Sequence, residues 1–206
     1  MPATRHLIAA CLVLAGLAGG VYFIGSAVQA PAAVPQTALV FPEPRPLPAF
    51  RLTGDDGEPF TRASLQGGWH LLFFGFTHCP DVCPATLQQL AVVRRRLAAD
   101  TDGPLPGIVL ISVDPERDTP AVLADYVANF GDAVRGVTGD PAAIEALAAD
   151  LGIHFEKAPA ADGDYTMNHS AAVLVTNPRG ELHALFSTPH DIGAFANDLP
   201  IIMAER

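Results

Sequence analysis

The 206-residue chain has a formal net charge of −10, with half of its residues hydrophobic and 17% charged. That length suits one ordinary globular domain with an appendage, and the apolar content argues against general disorder. The acidic balance, with no later cluster of Lys or Arg to offset it, argues against a nucleic-acid partner.

From Leu7 to Val28 no residue is charged, and Arg5 stands just before. A run of that length can span a bilayer core as a helix. The positive residue ahead of it would stay in the cytoplasm, which puts the rest of the chain outside: in the periplasm if bacterial, in the intermembrane space if mitochondrial. A secretory signal peptide cut after Val28-Gln29-Ala30 is the rival, but Pro31 follows directly and the apolar run exceeds a usual signal core. A retained anchor is therefore expected over residues 1–30, with Cys11 a small apolar residue inside it. Pro31, Pro35, Pro42, Pro44, Pro46 and Pro48 keep residues 31–49 extended, since proline fixes φ and donates no backbone hydrogen bond. This segment is expected to be a linker that holds a folded domain, residues 50–206, clear of the membrane.

Phe50 to Leu52, followed by Gly54-Asp55-Asp56-Gly57, reads as a short strand and turn. Trp69 to Phe76 is an almost unbroken apolar run, as in a strand covered on both faces. Pro84 suits the start of a helix bearing Leu87, Leu90, Val93 and Leu97, with Arg94, Arg95 and Arg96 on its solvated side. A second buried strand, Ile108 to Val113, leads through Asp114-Pro115-Glu116-Arg117-Asp118-Thr119 to a helix with Leu123, Tyr126, Val127 and Phe130. Asp140-Pro141 opens another helix, which Gly152 ends. Ala171 to Thr176 and Glu181 to Phe186 flank the type I turn signal Asn177-Pro178-Arg179-Gly180, and a last helix begins near Asp191. Alternating strands and helices that finish in an antiparallel hairpin and a helix predict an α/β thioredoxin-like sandwich behind the N-terminal transmembrane helix.

The chemistry concentrates in Thr77-His78-Cys79-Pro80-Asp81-Val82-Cys83-Pro84. A residue before proline is disfavoured in helical conformation, so Cys79 and Cys83 are expected in the loop just ahead of the helix. Helix amides and dipole there favour thiolate, the form that binds metals and attacks disulfides. A structural disulfide would close too short a loop to stabilise the fold much, and the three intervening residues depart from the Cys-x-x-Cys of thioredoxin-type reductases. Two thiolates select Cu(I) or zinc but need a third ligand. Among seven histidines, His169 precedes the strand whose entry faces the cysteine loop in this fold class. His78 adjoins Cys79, too close in sequence to share one metal easily, and is left as an outer neighbour.

The cysteine segment, then Asp114 to Thr119, then Tyr165 through His169-Ser170, resemble in order the three signature segments of the SCO/SenC family. The likeness runs from about Phe50 to Leu199. It implies copper bound by Cys79, Cys83 and His169, and help in assembling the binuclear copper site of cytochrome c oxidase. Implied partners are a copper donor protein and the copper-site subunit of the oxidase. Asn168 departs from the acidic residue common in the family directly before the ligand histidine, which puts affinity, oxidation state or client in doubt. Asp114 to Thr119 reads mainly as loop and helix cap, with partner docking as its second reading. The competing function is a thiol:disulfide oxidoreductase that uses Cys79 and Cys83 as a redox-active pair to keep a copper protein's cysteines reduced. Only the copper reading requires His169.

Overall fold

A computed structural model describes residues 33–100, 103–160 and 163–204. In chain order these form strands β1 (Leu39–Pro46), β2 (Arg51–Gly54), β3 (Pro59–Thr61) and β4 (His70–Gly75), then helix α1 (Val82–Asp100) and β5 (Gly107–Ser112). Helix α2 (Pro120–Val127), β6 (Val134–Thr138) and α3 (Pro141–Asp150) follow. The chain continues through β7 (Phe155–Pro159), β8 (Tyr165–His169), β9 (Val173–Thr176), β10 (Glu181–Phe186) and α4 (Ile192–Ala204). The helix expected over residues 7–28 lies outside the described residues. Among those described, no helix is long and apolar enough to cross a membrane.

Eight strands form one sheet in the order β1-β10-β9-β4-β5-β6-β2-β3. Its centre is β4, where Leu71, Leu72, Phe73 and Phe74 are all buried; a strand with no polar alternation must be covered on both faces. β4, β5 and β6 are parallel, with Leu72 beside Val109 and Ile108 beside Val134, while β9 runs antiparallel on the other flank of β4. Parallel neighbours need a helical crossover, and α1 and α2 supply the two. Thr119 and Asp140 cap α2 and α3 by accepting from Val122 N and Ala143 N, which fixes where both helices begin. The arrangement is the expected α/β sandwich.

Four strands differ from the expectation. Leu39–Pro46, expected to be free linker, is an edge strand paired with β10. Proline is tolerated there because its missing N–H can face away from the ladder, and Pro42 and Pro44 fall where the register slips between Val40 and Arg45. β6 went unrecognised because Arg135 and Gly136 break its apolar run. Gly136 is needed for close packing, since a Cβ there would lie 2.7 Å from Leu123 Cβ on α2. The hairpin of β7 and β8, a separate two-stranded sheet, carries too few apolar residues to announce itself.

The segment before β1 is moored by one carboxylate. Asp198 on α4 is 1% exposed and accepts from Gln36 N at 2.9 Å, Thr37 N at 2.7 Å, Thr37 Oγ1 at 2.6 Å and Ala38 N at 2.9 Å. Burial pushes its pKa up, but these donors outweigh burial and hold it below the ordinary carboxylate value. A lowered folded-state pKa means that the stabilisation is complete above the unfolded value of about 3.9 and fades as pH falls through the lower folded one. Asp198→Ala should therefore cost about 2 kcal/mol at pH 7 in urea unfolding, because it removes the charged acceptor that these four donors share. The difference from wild type should shrink in acid, and an unchanged urea midpoint at neutral pH would refute the mooring.

Candidate metal centre

β4 ends at Gly75, and the chain then turns through Phe76 and Thr77 toward Cys79, whose N–H donates to Phe76 O at 3.4 Å. Cys79 lies in this loop, as expected. Cys83 does not, for it belongs to the first turn of α1. Proline at position 84 does not prevent this, because the first N–H groups of a helix have no partner inside it and the ring therefore costs no hydrogen bond. The freed Cys83 N–H instead donates to Cys79 Sγ at 3.4 Å. Cys83 is fully buried and rests against the end of β4, where only glycine leaves room: a Cβ on Gly75 would lie 3.0 Å from Cys83 Sγ and 2.9 Å from Phe73 Cε1.

His169, the last residue of β8, reaches the cysteines from the separate hairpin. Phe73 and Phe76 meet its ring edge-to-face, each with centroids 5.9 Å apart. Nδ1 lies 3.1 Å from Ser170 O, and since a carbonyl can only accept, the proton is assigned to Nδ1. Nε2 is then the bare lone pair, and it lies 3.4 Å from Cys83 Sγ. The two Sγ atoms and a nitrogen of His169 all lie within 4.8 Å of one another. Two soft sulfurs and a borderline imidazole at that spacing can close on one Cu(I) or zinc ion without rearranging the backbone.

The two thiols are unequal. A hydrogen bond from Cys83, with help from the amides of Asp81 and Cys83, holds the Cys79 thiol well below its ordinary value against the opposing effect of burial. Donating that bond and being buried push Cys83 up. A thiolate beside a protonated partner is the first state of disulfide exchange as well as of metal capture.

The segment Asp114 to Thr119 is more than a helix cap. Asp118, fully buried, accepts from Thr77 N at 3.1 Å, Thr77 Oγ1 at 2.5 Å and Ser112 Oγ at 2.6 Å, which fixes the cysteine loop. Asp114 accepts from Tyr165 OH at 2.8 Å and pairs with Arg117, which fixes the histidine hairpin. One short loop thus braces both halves of the site. The sequence signal was an Asp-x-x-x-Asp spacing straight after a buried strand, which ordinary capping also explains. His78 is exposed, with Nδ1 3.1 Å from Thr77 Oγ1, and is not among the grouped donors. Asn168 is exposed and donates to Glu156 Oε1 at 3.3 Å.

A model of the SCO1/SenC family matches residues 43–204. The mitochondrial protein SCO2 homolog of Mus musculus is 40% identical over 132 residues, covering 64% of this chain and 52% of its own, so the match spans about half of that relative. The crystal structure of Arabidopsis thaliana ScoI with copper bound superposes with a TM-score of 0.74 at 33% identity, covering 77% of this chain and 98% of that one. Bradyrhizobium japonicum ScoI with copper bound gives 0.66 at 38% identity, over 75% and 98%.

Proposed function

The chain belongs to the SCO1/SenC family, and on that premise we propose that it is a copper carrier that holds one copper ion through Cys79, Cys83 and His169. Its client is the binuclear copper site of cytochrome c oxidase, in the copper-site subunit, and a separate donor protein loads it. Copper is cargo here. The observation that carries the reading is the convergence of three donor atoms, from a loop, the first turn of α1 and the separate hairpin, within 4.8 Å, in a chain whose relatives include copper-bound structures. Residues 7–28 anchor the chain with the domain outside the cytoplasm, periplasmic if bacterial. The polarised Cys79–Cys83 pair favours a second reading, a thiol:disulfide oxidoreductase acting on a copper protein.

Full-length chain recovered from carbonate-washed membranes should take up one equivalent of Cu(I), with sulfur and nitrogen in the metal's X-ray absorption shell. A soluble form beginning at Pro31 would refute the anchor. A copper shell without nitrogen would refute the ligand set.

A further inference from the structure

The hairpin that presents His169 is a sheet of its own, so backbone pairing with the main sheet does not hold it in place. Along a strand, residues two apart share a face, and Tyr165, Met167 and His169 form the face of β8 turned to the domain. Met167 is buried in the core and His169 meets Cys83. Tyr165, about 14 Å from His169 at the usual strand rise, is gripped from three directions. Two cations stand over its ring, with Arg117 Cζ 3.8 Å and Lys157 Nζ 3.9 Å from the centroid. Its hydroxyl donates to Asp114 Oδ1 at 2.8 Å, and its carbonyl accepts from Arg117 Nη1 at 3.1 Å. Lys157, on the same hairpin, also reaches Glu116 at 2.9 Å. Among the described residues, the buried Nη2 of Arg117 has no hydrogen-bond partner, as suits a guanidinium whose face is given to an aromatic ring. All these ties across to the body end on four consecutive residues, Asp114 to Arg117.

We propose that Tyr165 is a positioning residue for copper release, its clasp on Asp114–Arg117 setting how firmly the hairpin presses His169 toward the two cysteines. The inference rests on the copper-carrier reading and deepens it. With the clasp shut, β8 is pinned at both ends and the imidazole is presented at low entropic cost. With the clasp broken, the hairpin can pivot about Met167 and carry the third ligand away while Cys79 and Cys83 stay in place. His169 then leaves as a neutral imidazole that keeps its Nδ1 proton, and one donor of the acceptor takes its coordination position. Copper keeps its oxidation state and this single ligand exchange moves no electron; the cysteines recover protons from solvent only when the ion finally leaves them. The acceptor thus meets a two-sulfur site instead of displacing a fixed ligand. A protein acceptor that loosens this clasp on docking would trigger release at His169 from a distance.

The test loads wild type, Tyr165→Ala, Tyr165→Phe and Lys157→Gln, all as full-length chain, with one equivalent of Cu(I) and times transfer to bicinchoninate. Residues that orient a metal ligand without touching the metal commonly change affinity by 10–100-fold, so Tyr165→Ala should release copper roughly tenfold faster. Its X-ray absorption should keep the sulfur shell and lose nitrogen amplitude, which a general loss of stability would not single out. Tyr165→Phe keeps the ring against both cations and should show an intermediate rate. If Tyr165→Ala does not fold, Lys157→Gln decides, because Lys157 is exposed; release about threefold faster is expected from the loss of one cation. A folded Tyr165→Ala, or failing that Lys157→Gln, that releases copper at the wild-type rate overturns the inference and leaves the carrier reading standing. A wild-type chain that takes up no copper ends both.

Discussion

Cytochrome c oxidase from a strain carrying His169→Ala is expected to hold less than about a tenth of its normal binuclear-site copper, the same deficit as with Cys83→Ser. Removing an outer-shell partner alone typically costs 10–100-fold in metal affinity, and removing a ligand costs at least as much. Added copper should partly restore the oxidase in a deletion strain. Disulfide exchange predicts a different pattern, since it needs only a thiolate and its partner. There His169→Ala would keep most function, either cysteine variant would lose it, and a thiol reductant would restore the client where copper does not. The deciding measurement is oxidase copper in the His169→Ala strain, and a normal value would move the assignment to the oxidoreductase.

Asp118→Ala should be among the most destabilising single changes in the domain, at about 4 kcal/mol, because it leaves the Thr77 amide and two hydroxyls without their buried acceptor. The loss is not only of stability. Thr77 precedes Cys79 by two residues, so the cysteine loop loses its tie to the end of β5, and one-to-one copper uptake should weaken even under conditions where the variant is folded. Asp118→Asn retains an acceptor oxygen and should recover part of both properties. Denaturant unfolding and copper titration of the three chains check this; an Asp118→Ala chain with wild-type stability would show that the contacts with Thr77 and Ser112 contribute little.

The parts of this architecture that could be read from sequence are those in which hydrophobicity is dense or a residue type has one physical use. Leu71 to Phe74 could hardly be anything but a doubly covered strand, and proline after an N-cap marks the start of α3 at Asp140-Pro141. Cys79, Cys83 and His169 could be grouped because two thiols at a helix mouth lack a third ligand, and the fold class points one loop at them. Cys83 sits in the helix and not in the loop that the steric penalty before proline predicts, because Pro84 falls in the first turn, where its missing N–H costs no hydrogen bond. β7 and β8 were invisible for another reason. Phe155-Glu156-Lys157-Ala158-Pro159 is stabilised by side chains contributed by a distant loop, through Lys157 to Glu116 and Tyr165 to Asp114, and no local pattern encodes such a partnership. The brace formed by Asp114, Arg117 and Asp118 reads in sequence as capping or partner docking and not as a brace, because its partners lie 41 and 51 residues away.

The two flanks of the eight-stranded sheet limit the company this protein can keep. A bare sheet margin is a template on which another chain can add a strand, the route to end-to-end association and fibrils. Here one margin is β1, with Pro42, Pro44 and Pro46 and a slipped register. The other is the three-residue β3, which opens with Pro59. Proline presents no N–H, and three residues offer too short a ladder to hold a guest strand. Encounters with a donor or client must therefore be made by side chains and loops and not by extension of the main sheet, which suits a partnership that has to end once its cargo has moved.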